Sequence, residues 1–301
     1  MESKKLSINN QENSVMPKIL FIMPYFGEWP FWMPFYIRSC SYNPTINWLF
    51  YTDCERPDDS PPNMEFRNLS YKSYCQLVSD KLGIEFSASN PYKLCDIRPG
   101  LGYIHSEDLE GYDFWAFGDI DVIYGNLRSY FTGERLSGKD LLSTHARRVS
   151  GHLCIIRNSP NMLNAFRDIP DWEKRFSDAT HHALDEGAFS RLFMGHKNWP
   201  DWLRLFAEKF KSRSRRSEFV EAHSTYSLLP DGRKKTPEAW YWNSGTLTNT
   251  DFVNKELPYL HFYRWKKQSW SGKGAAELVQ YEGLHKGARW RISKNGFELD
   301  E

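Results

Sequence analysis

One stretch constrains the chain more than any other: Phe114-Trp-Ala-Phe-Gly-Asp-Ile-Asp-Val-Ile-Tyr-Gly125, an apolar and aromatic run interrupted by two carboxylates. A run this apolar predicts a buried strand. Charges at the end of such a run need a partner or a ligand, because removing them from water is costly. Asp119 and Asp121 are two residues apart, so a strand ending at them presents both carboxylates on one face. Two hard oxygen donors on one face suit Mg²⁺ or Mn²⁺, which need no closed protein cage when phosphate oxygens complete the shell. Gly118 and Gly125 bracket the acidic turn and allow unusual dihedrals and close backbone approach. The same triplet also occurs in ordinary turns and helix caps. Its meaning therefore depends on what surrounds it.

What surrounds it alternates. Pro17 to Gly27 reads as a first buried strand ending in a Pro/Gly loop, and Thr45 to Asp53 as a second with a polar tip. Between them Trp29 to Tyr42 is aromatic and helical. Met64 to Leu69 reads as a short strand, and Tyr71 to Leu82 as a helix with Tyr74, Leu77, Val78 and Leu82 at helical spacing. Asn90-Pro91 starts a short helix that ends before Pro99. Asp113 to Ile123 is the acidic strand, and Leu141 to Thr144 and Gly151 to Ile156 are further strands. Ser159-Pro160 caps a helix, and His181 to Met194 forms another with Leu184, Ala188 and Leu192 on one face. Strands alternating with helices from Lys18 to Met194 predict an α/β sandwich with a mostly parallel sheet. In such sheets ligands bind beyond the carboxyl ends of the strands. Residues 1–16 read as a polar leader and 17–301 as one domain, with 197–301, richer in Trp, Lys and Arg, completing the site.

Composition removes several classes of function. A net charge of +1 gives no basic field for nucleic acid. Five scattered cysteines without a Cys-x-x-Cys pair argue against a disulfide framework or zinc site and fit a reducing cytoplasm. The leader has no apolar core, and no run is long enough to span a bilayer. The expectation is a cytoplasmic protein with room for peripheral contact with the inner membrane surface. Aromatic residues make up 16% of the chain, and their flat faces suit sugars as well as cores.

Four pieces carry a resemblance: Lys18 to Gly27, Pro91 to Pro99, Gly111 to Gly125 and Leu260-His-Phe-Tyr-Arg-Trp-Lys266. With the acidic run as the specific one, the sequence resembles GT-A glycosyltransferases, and within them a bacterial family of polysaccharide-type transferases. The resemblance implies a GT-A-like, Rossmann-like α/β/α sandwich. It implies a nucleotide-sugar donor (a UDP-sugar being favoured), Mn²⁺ or Mg²⁺, and transfer to a glycan or lipid-linked glycan acceptor of the cell surface. By analogy Asp119 contacts ribose or metal, Asp121 binds the metal, and His261 is a third ligand. Pro24, Tyr25, Gly27 and Asp53 flank the nucleoside. Lys266 and Lys267 neutralise the leaving diphosphate, although the family's usual Gly and Lys shortly after the histidine are missing here.

Other residues have two readings each. Lys93, Asp96 and Arg98 either bind the donor or form a surface ion-pair pattern. Asp185 and Glu186 supply a carboxylate to deprotonate an acceptor hydroxyl, or an acidic first turn favoured by the helix dipole. Trp240 and Trp242 stack on acceptor sugars or pack in a core. His145, His152, His181 and His182 lack convincing ligand spacing and read as structural or surface residues. The cations of Lys209 to Arg216 read as a solvated loop before they read as a contact for anionic lipid or a polyprenyl diphosphate-linked acceptor. Two rivals remain. One is a haloacid dehalogenase-type phosphatase with Asp119 as nucleophile, which the position of the motif and its Asp-Ile-Asp-Val-Ile wording disfavour. The other is a carbohydrate-binding protein without turnover, which the acidic pair and His261 disfavour.

Overall fold

The computed structural model describes residues 16–196, 198–229 and 231–300, so all but the last residue of the polar leader lies outside it. The strands are β1 Ile19–Pro24, β2 Ile46–Thr52, β3 Met64–Asn68, β4 Phe114–Gly118, β5 Val122–Tyr124, β6 Leu141–Ser143, β7 Leu153–Arg157 and β8 Ser217–Phe219. They continue as β9 Ser227–Leu228, β10 Lys234–Lys235, β11 Ala239–Asn243, β12 Thr246–Asn249, β13 Tyr259–His261, β14 Arg289–Ser293 and β15 Gly296–Leu299. A seven-stranded sheet has the order β3-β2-β1-β4-β7-β6-β8. The first four of these are mutually parallel, β7 is antiparallel to both β4 and β6, and β8 runs parallel to β6. The fold is α/β with a mixed, mostly parallel central sheet.

Period-two alternation explains why the strands read as continuous apolar runs. Leu20, Ile22, Trp115, Phe117, Cys154 and Ile156 face one layer, against Tyr74, Val78 and Leu82 of the helix Tyr71–Leu82. Ile19, Phe21, Phe114, Ala116, Leu153 and Ile155 face the other, against Met33, Tyr36 and Ile37 of the helix Met33–Ser41. Both faces are covered, which is the expected sandwich. A third core lies in the four-stranded sheet β12-β11-β14-β15, where Trp242 stacks on Trp290 with centroids 3.9 Å apart.

The acidic run departs from its expected form. It is not one strand: β4 stops at Gly118, and the chain crosses through Asp119, Ile120 and Asp121 into β5. There β5 pairs antiparallel with β13 in a separate two-stranded sheet, with Val122 opposite His261. The crossing is fixed by backbone groups that find partners outside a ladder. The Ile120 carbonyl accepts from Trp32 Nε1 (3.0 Å), and the Asp121 carbonyl from the Phe262 N–H (3.2 Å). Gly125 does not need a positive φ. Its value is close approach, since a Cβ there would lie 2.4 Å from the Leu257 carbonyl oxygen. Two helix boundaries also differ. The segment from Pro91 is a 3-10 helix that runs through Pro99 to Gly100. Residues 181–184 are not helical, and Asp185–Phe189 forms a π-helical turn before the short helix Ser190–Phe193. Among the described residues no helix is long and apolar enough to cross a membrane.

Candidate active site

The parallel strands β1 and β4 end on the same edge of the sheet, and the loops beyond them open onto a cavity of about 660 Å³. That volume is ordinary for a small-molecule site. Asp119 and Asp121 both line it, although they do not share a strand. Asp119 forms an ion pair with Arg98, carried in by the 3-10 segment, and lies 3.7 Å from His261 Nε2. Asp121 is buried, paired with Lys266, and 3.5 Å from the same imidazole nitrogen. Burial alone would raise the Asp121 carboxyl, but His261 and Lys266 outweigh it and hold the group well below the usual carboxylate range.

His261 is held in turn. Its backbone N–H donates to the Ser224 carbonyl (2.8 Å), Thr225 Oγ1 lies 3.3 Å from Nδ1, and its ring stacks on His152 with centroids 4.3 Å apart. One ligating atom each from Asp119, His152 and His261 falls within 4.8 Å of the others. A carboxylate oxygen and two imidazole nitrogens are a donor set that a divalent transition ion accepts. Burial pushes the His152 imidazole well below its ordinary value, with His261 adding to it, so His152 is neutral and able to offer a lone pair. Sequence spacing missed His152, because it enters from the start of β7, antiparallel to β4, and only the register brings it beside Asp119.

Across the cavity, Asp185 sits at the start of the π-helical turn. Its carboxylate accepts from Arg98 Nη1 (3.2 Å) and from the Glu186 N–H (2.8 Å). Burial raises its pKa from 3.8 to about 6; the Glu186 charge adds to this and Arg98 opposes it. Gly151 makes the arrangement possible, because a Cβ there would stand 2.9 Å from Arg98 Nη1 and 3.0 Å from Asp185 Oδ2. Arg98 thus bridges Asp119 and Asp185, the only one of the Lys93, Asp96 and Arg98 trio to line the cavity. Glu186 also lines it and pairs with Arg148 at 3.3 Å.

Lys93 and Asp96 do something else. Both are fully buried and bonded to each other (2.9 Å). Lys93 Nζ also donates to the carbonyls of Arg175 and Thr180, while Asp96 accepts from the backbone N–H groups of His182 and Leu184. They clamp the segment that carries Ala183, left-handed at φ 47°, and Asp185. The donor-binding expectation for these two is corrected on that ground: every polar atom is already committed away from the cavity.

Three further expectations need the same correction. Trp240 and Trp242 are 0% exposed inside the four-stranded sheet and present no face to a sugar. Asp53 and Gly27 do not line the cavity; the Asp53 carboxylate accepts from the Gly27 N–H (2.9 Å), which shapes the loop behind Tyr25. Lys267 lies outside it, with Nζ 3.4 Å from the Tyr263 hydroxyl. Pro24, Tyr25 and Lys266 do line it. Burial, helped by Cys54, raises the Tyr25 hydroxyl to about 12, so it stays protonated.

No curated protein matches the sequence. Among solved structures, galactosyltransferase LgtC in complex with donor and acceptor sugar analogues aligns over 82% of this chain and 87% of its own, at 10% identity and a TM-score of 0.40. A glycosyltransferase involved in glycosylation of the major capsid of PBCV-1 aligns over 81% and 94%, at 10% identity and 0.38. Mouse xyloside xylosyltransferase 1 aligns over 71% and 88%, at 9% identity and 0.35. Likenesses this distant leave the function to be argued from the site. One family model does match, over residues 21–282, and the chain belongs to that family, DUF6625, a family of unknown function.

Proposed function

We propose that this chain is a metal-dependent glycosyltransferase of GT-A type. It moves a sugar from a nucleotide-diphosphate donor to a hydroxyl of a cell-surface polysaccharide or lipopolysaccharide precursor. The observation that carries the reading is the meeting of Asp119, His152 and His261 at the carboxyl edge of parallel strands, beside a cavity that also holds Arg98, Lys266 and Asp185. The donor set fits a divalent ion, and its two imidazoles favour Mn²⁺ over Mg²⁺, which prefers oxygen ligands. Such an ion supplies positive charge to the diphosphate of the departing nucleotide.

The chain's own residues do the rest. Arg98 holds Asp119 and Asp185 on either side of itself, fixing the distance between the metal side and the acceptor side. Lys266, ion-paired with Asp121, lines the cavity and places its ammonium within reach of the wall where a leaving diphosphate gains charge. Asp185, with a pKa near neutrality, suits the removal of a proton from an acceptor hydroxyl. Pro24 and Tyr25 form the wall nearest β1, where a nucleoside would lie. The phosphatase rival asks Asp119 to attack a phosphoryl group, and pairing with Arg98 makes that carboxylate a poorer nucleophile.

The test is a thermal-shift series with UDP, GDP, CMP and dTDP, each with and without Mn²⁺. A nucleotide at a hundred times its Kd adds about 2.7 kcal/mol to stability. Stabilisation by one nucleotide, UDP being expected, only when Mn²⁺ is present supports the reading. No response to any nucleotide under either condition overturns it.

A further inference from the structure

The helix Asp201–Glu208 is amphipathic, yet none of its residues is buried. Trp199, Trp202, Phe206 and Phe210 follow one another at helical spacing and form a stripe, with Leu205 beside it. Trp202 is 71% exposed and Phe210 76%, and the Phe206 and Phe210 rings touch edge to face with centroids 5.2 Å apart. Scattered exposed apolar residues are normal, but a contiguous aromatic stripe on one short helix marks a docking surface.

The chain that follows says what docks there. From Lys209 to Arg216 there are five cations and no carboxylate. Arg213 and Arg216 pair with Asp168 and Asp140. Lys211 gives its ammonium to the Arg191 carbonyl, which leaves its charge uncompensated. Lys209, Lys211 and Arg215 have no carboxylate partner among the described residues. Aromatic and aliphatic side chains in one stripe, edged by unbalanced cations, match the interfacial zone of a bilayer with anionic headgroups. A bilayer supplies the apolar layer and the anionic rim together.

We infer that the Trp199–Phe210 face, with Lys209, Lys211 and Arg215, docks the protein on an anionic membrane surface. The inference rests on this surface alone and does not depend on the site transferring sugar. The two features are nevertheless joined. Arg204 donates to the Ala146 carbonyl (3.1 Å) and Arg147 to the Trp199 carbonyl (2.9 Å), while the flanking His145 and Arg148 line the cavity. The docking helix is thus tied to the 145–148 loop, two of whose residues line the cavity.

Co-sedimentation with vesicles tests the idea, comparing phosphatidylcholine alone with phosphatidylcholine containing phosphatidylglycerol. The full chain should pellet with the anionic vesicles, less so as salt rises. A Trp202→Ser, Phe206→Ser, Phe210→Ser variant should remain in the supernatant. Lys209→Glu with Arg215→Glu should lower partitioning at least about thirty-fold, since each cation near such a surface is worth roughly a fivefold change in affinity. Circular dichroism confirms that each variant is folded, and metal-dependent nucleotide binding should be unchanged in both. Equal recovery from both vesicle types, or undiminished pelleting of the serine variant, overturns the inference. So does self-association that the serine variant abolishes in the absence of vesicle binding, because a second copy then covers the face.

Discussion

Replacing Asp185 by Asn separates the cost of its environment from its chemistry. Its carboxyl has a pKa of about 6 in the folded protein against 3.8 ordinarily, burial being the main cause. The folded state therefore holds a proton that the unfolded chain releases more readily. Stability from that proton is fully present below pH 3.8 and is lost as pH rises through about 6. At 1.36 kcal/mol per unit, the shift corresponds to about 3 kcal/mol. Asn cannot ionise, so Asp185→Asn should gain about 3 kcal/mol on the wild type between acid and neutral pH. A constant offset is expected from the new amide facing Arg98 Nη1, now 3.2 Å from Oδ2, and it cancels in the comparison. Urea denaturation of both proteins across this range measures the difference directly. Parallel stability curves would refute the claim that Asp185 is buried and strained toward protonation. Transfer by the wild type should meanwhile fall as pH drops through about 6, and the variant should lack it throughout.

His152→Ala should weaken Mn²⁺ binding at least about tenfold by isothermal titration, and unchanged affinity would remove His152 from the ligand set. Asp96→Ala leaves the Lys93 ammonium buried without its counter-charge and should cost about 3–5 kcal/mol in chemical denaturation. A loss under about 1 kcal/mol would mean that the Arg175 and Thr180 carbonyls suffice for Lys93. Trp242→Ala should cost about 3–5 kcal/mol through the cavity it leaves beside Trp290; an undiminished stability with weakened acceptor binding would restore its role as a sugar platform.

Local pattern carried much of the architecture. Tyr71–Leu82 forms the helix that its spacing predicts, from the Ser70 cap to the left-handed Gly83. The first strands fall within a residue or two of where their apolar runs place them, because a strand buried on both faces has an unmistakable composition. The site was legible where it depended on chain-local chemistry, as with Asp119 and Asp121, both of which reach the cavity. It was illegible where it depended on register. His152 meets Asp119 through the pairing of β7 with β4, which no spacing encodes. Lys93 and Asp96 show the converse, because a charged pair at helical spacing looks exposed in sequence. Only the convergence of the 175–184 segment on it reveals a buried clamp. Trp240 and Trp242 looked equally suited to a sugar or a core, and the β11–β14 pairing decides for the core.

The crossing from β4 into β5 has a consequence for how the molecule holds itself together. His261 reaches the acidic residues because β13, far along the chain, zips onto β5 with Val122 opposite it. One wall of the cavity thus belongs to the large sheet and the other to a strand recruited from the last fifth of the sequence. A ligand touching Asp119 and His261 together acts as a cross-link across the long intervening stretch, favouring the docked arrangement over any state in which β13 has peeled away. Ligand affinity and the closure of the carboxy-terminal region are then two readings of a single equilibrium, and whatever loosens the β5–β13 seam should weaken binding without touching a ligand atom.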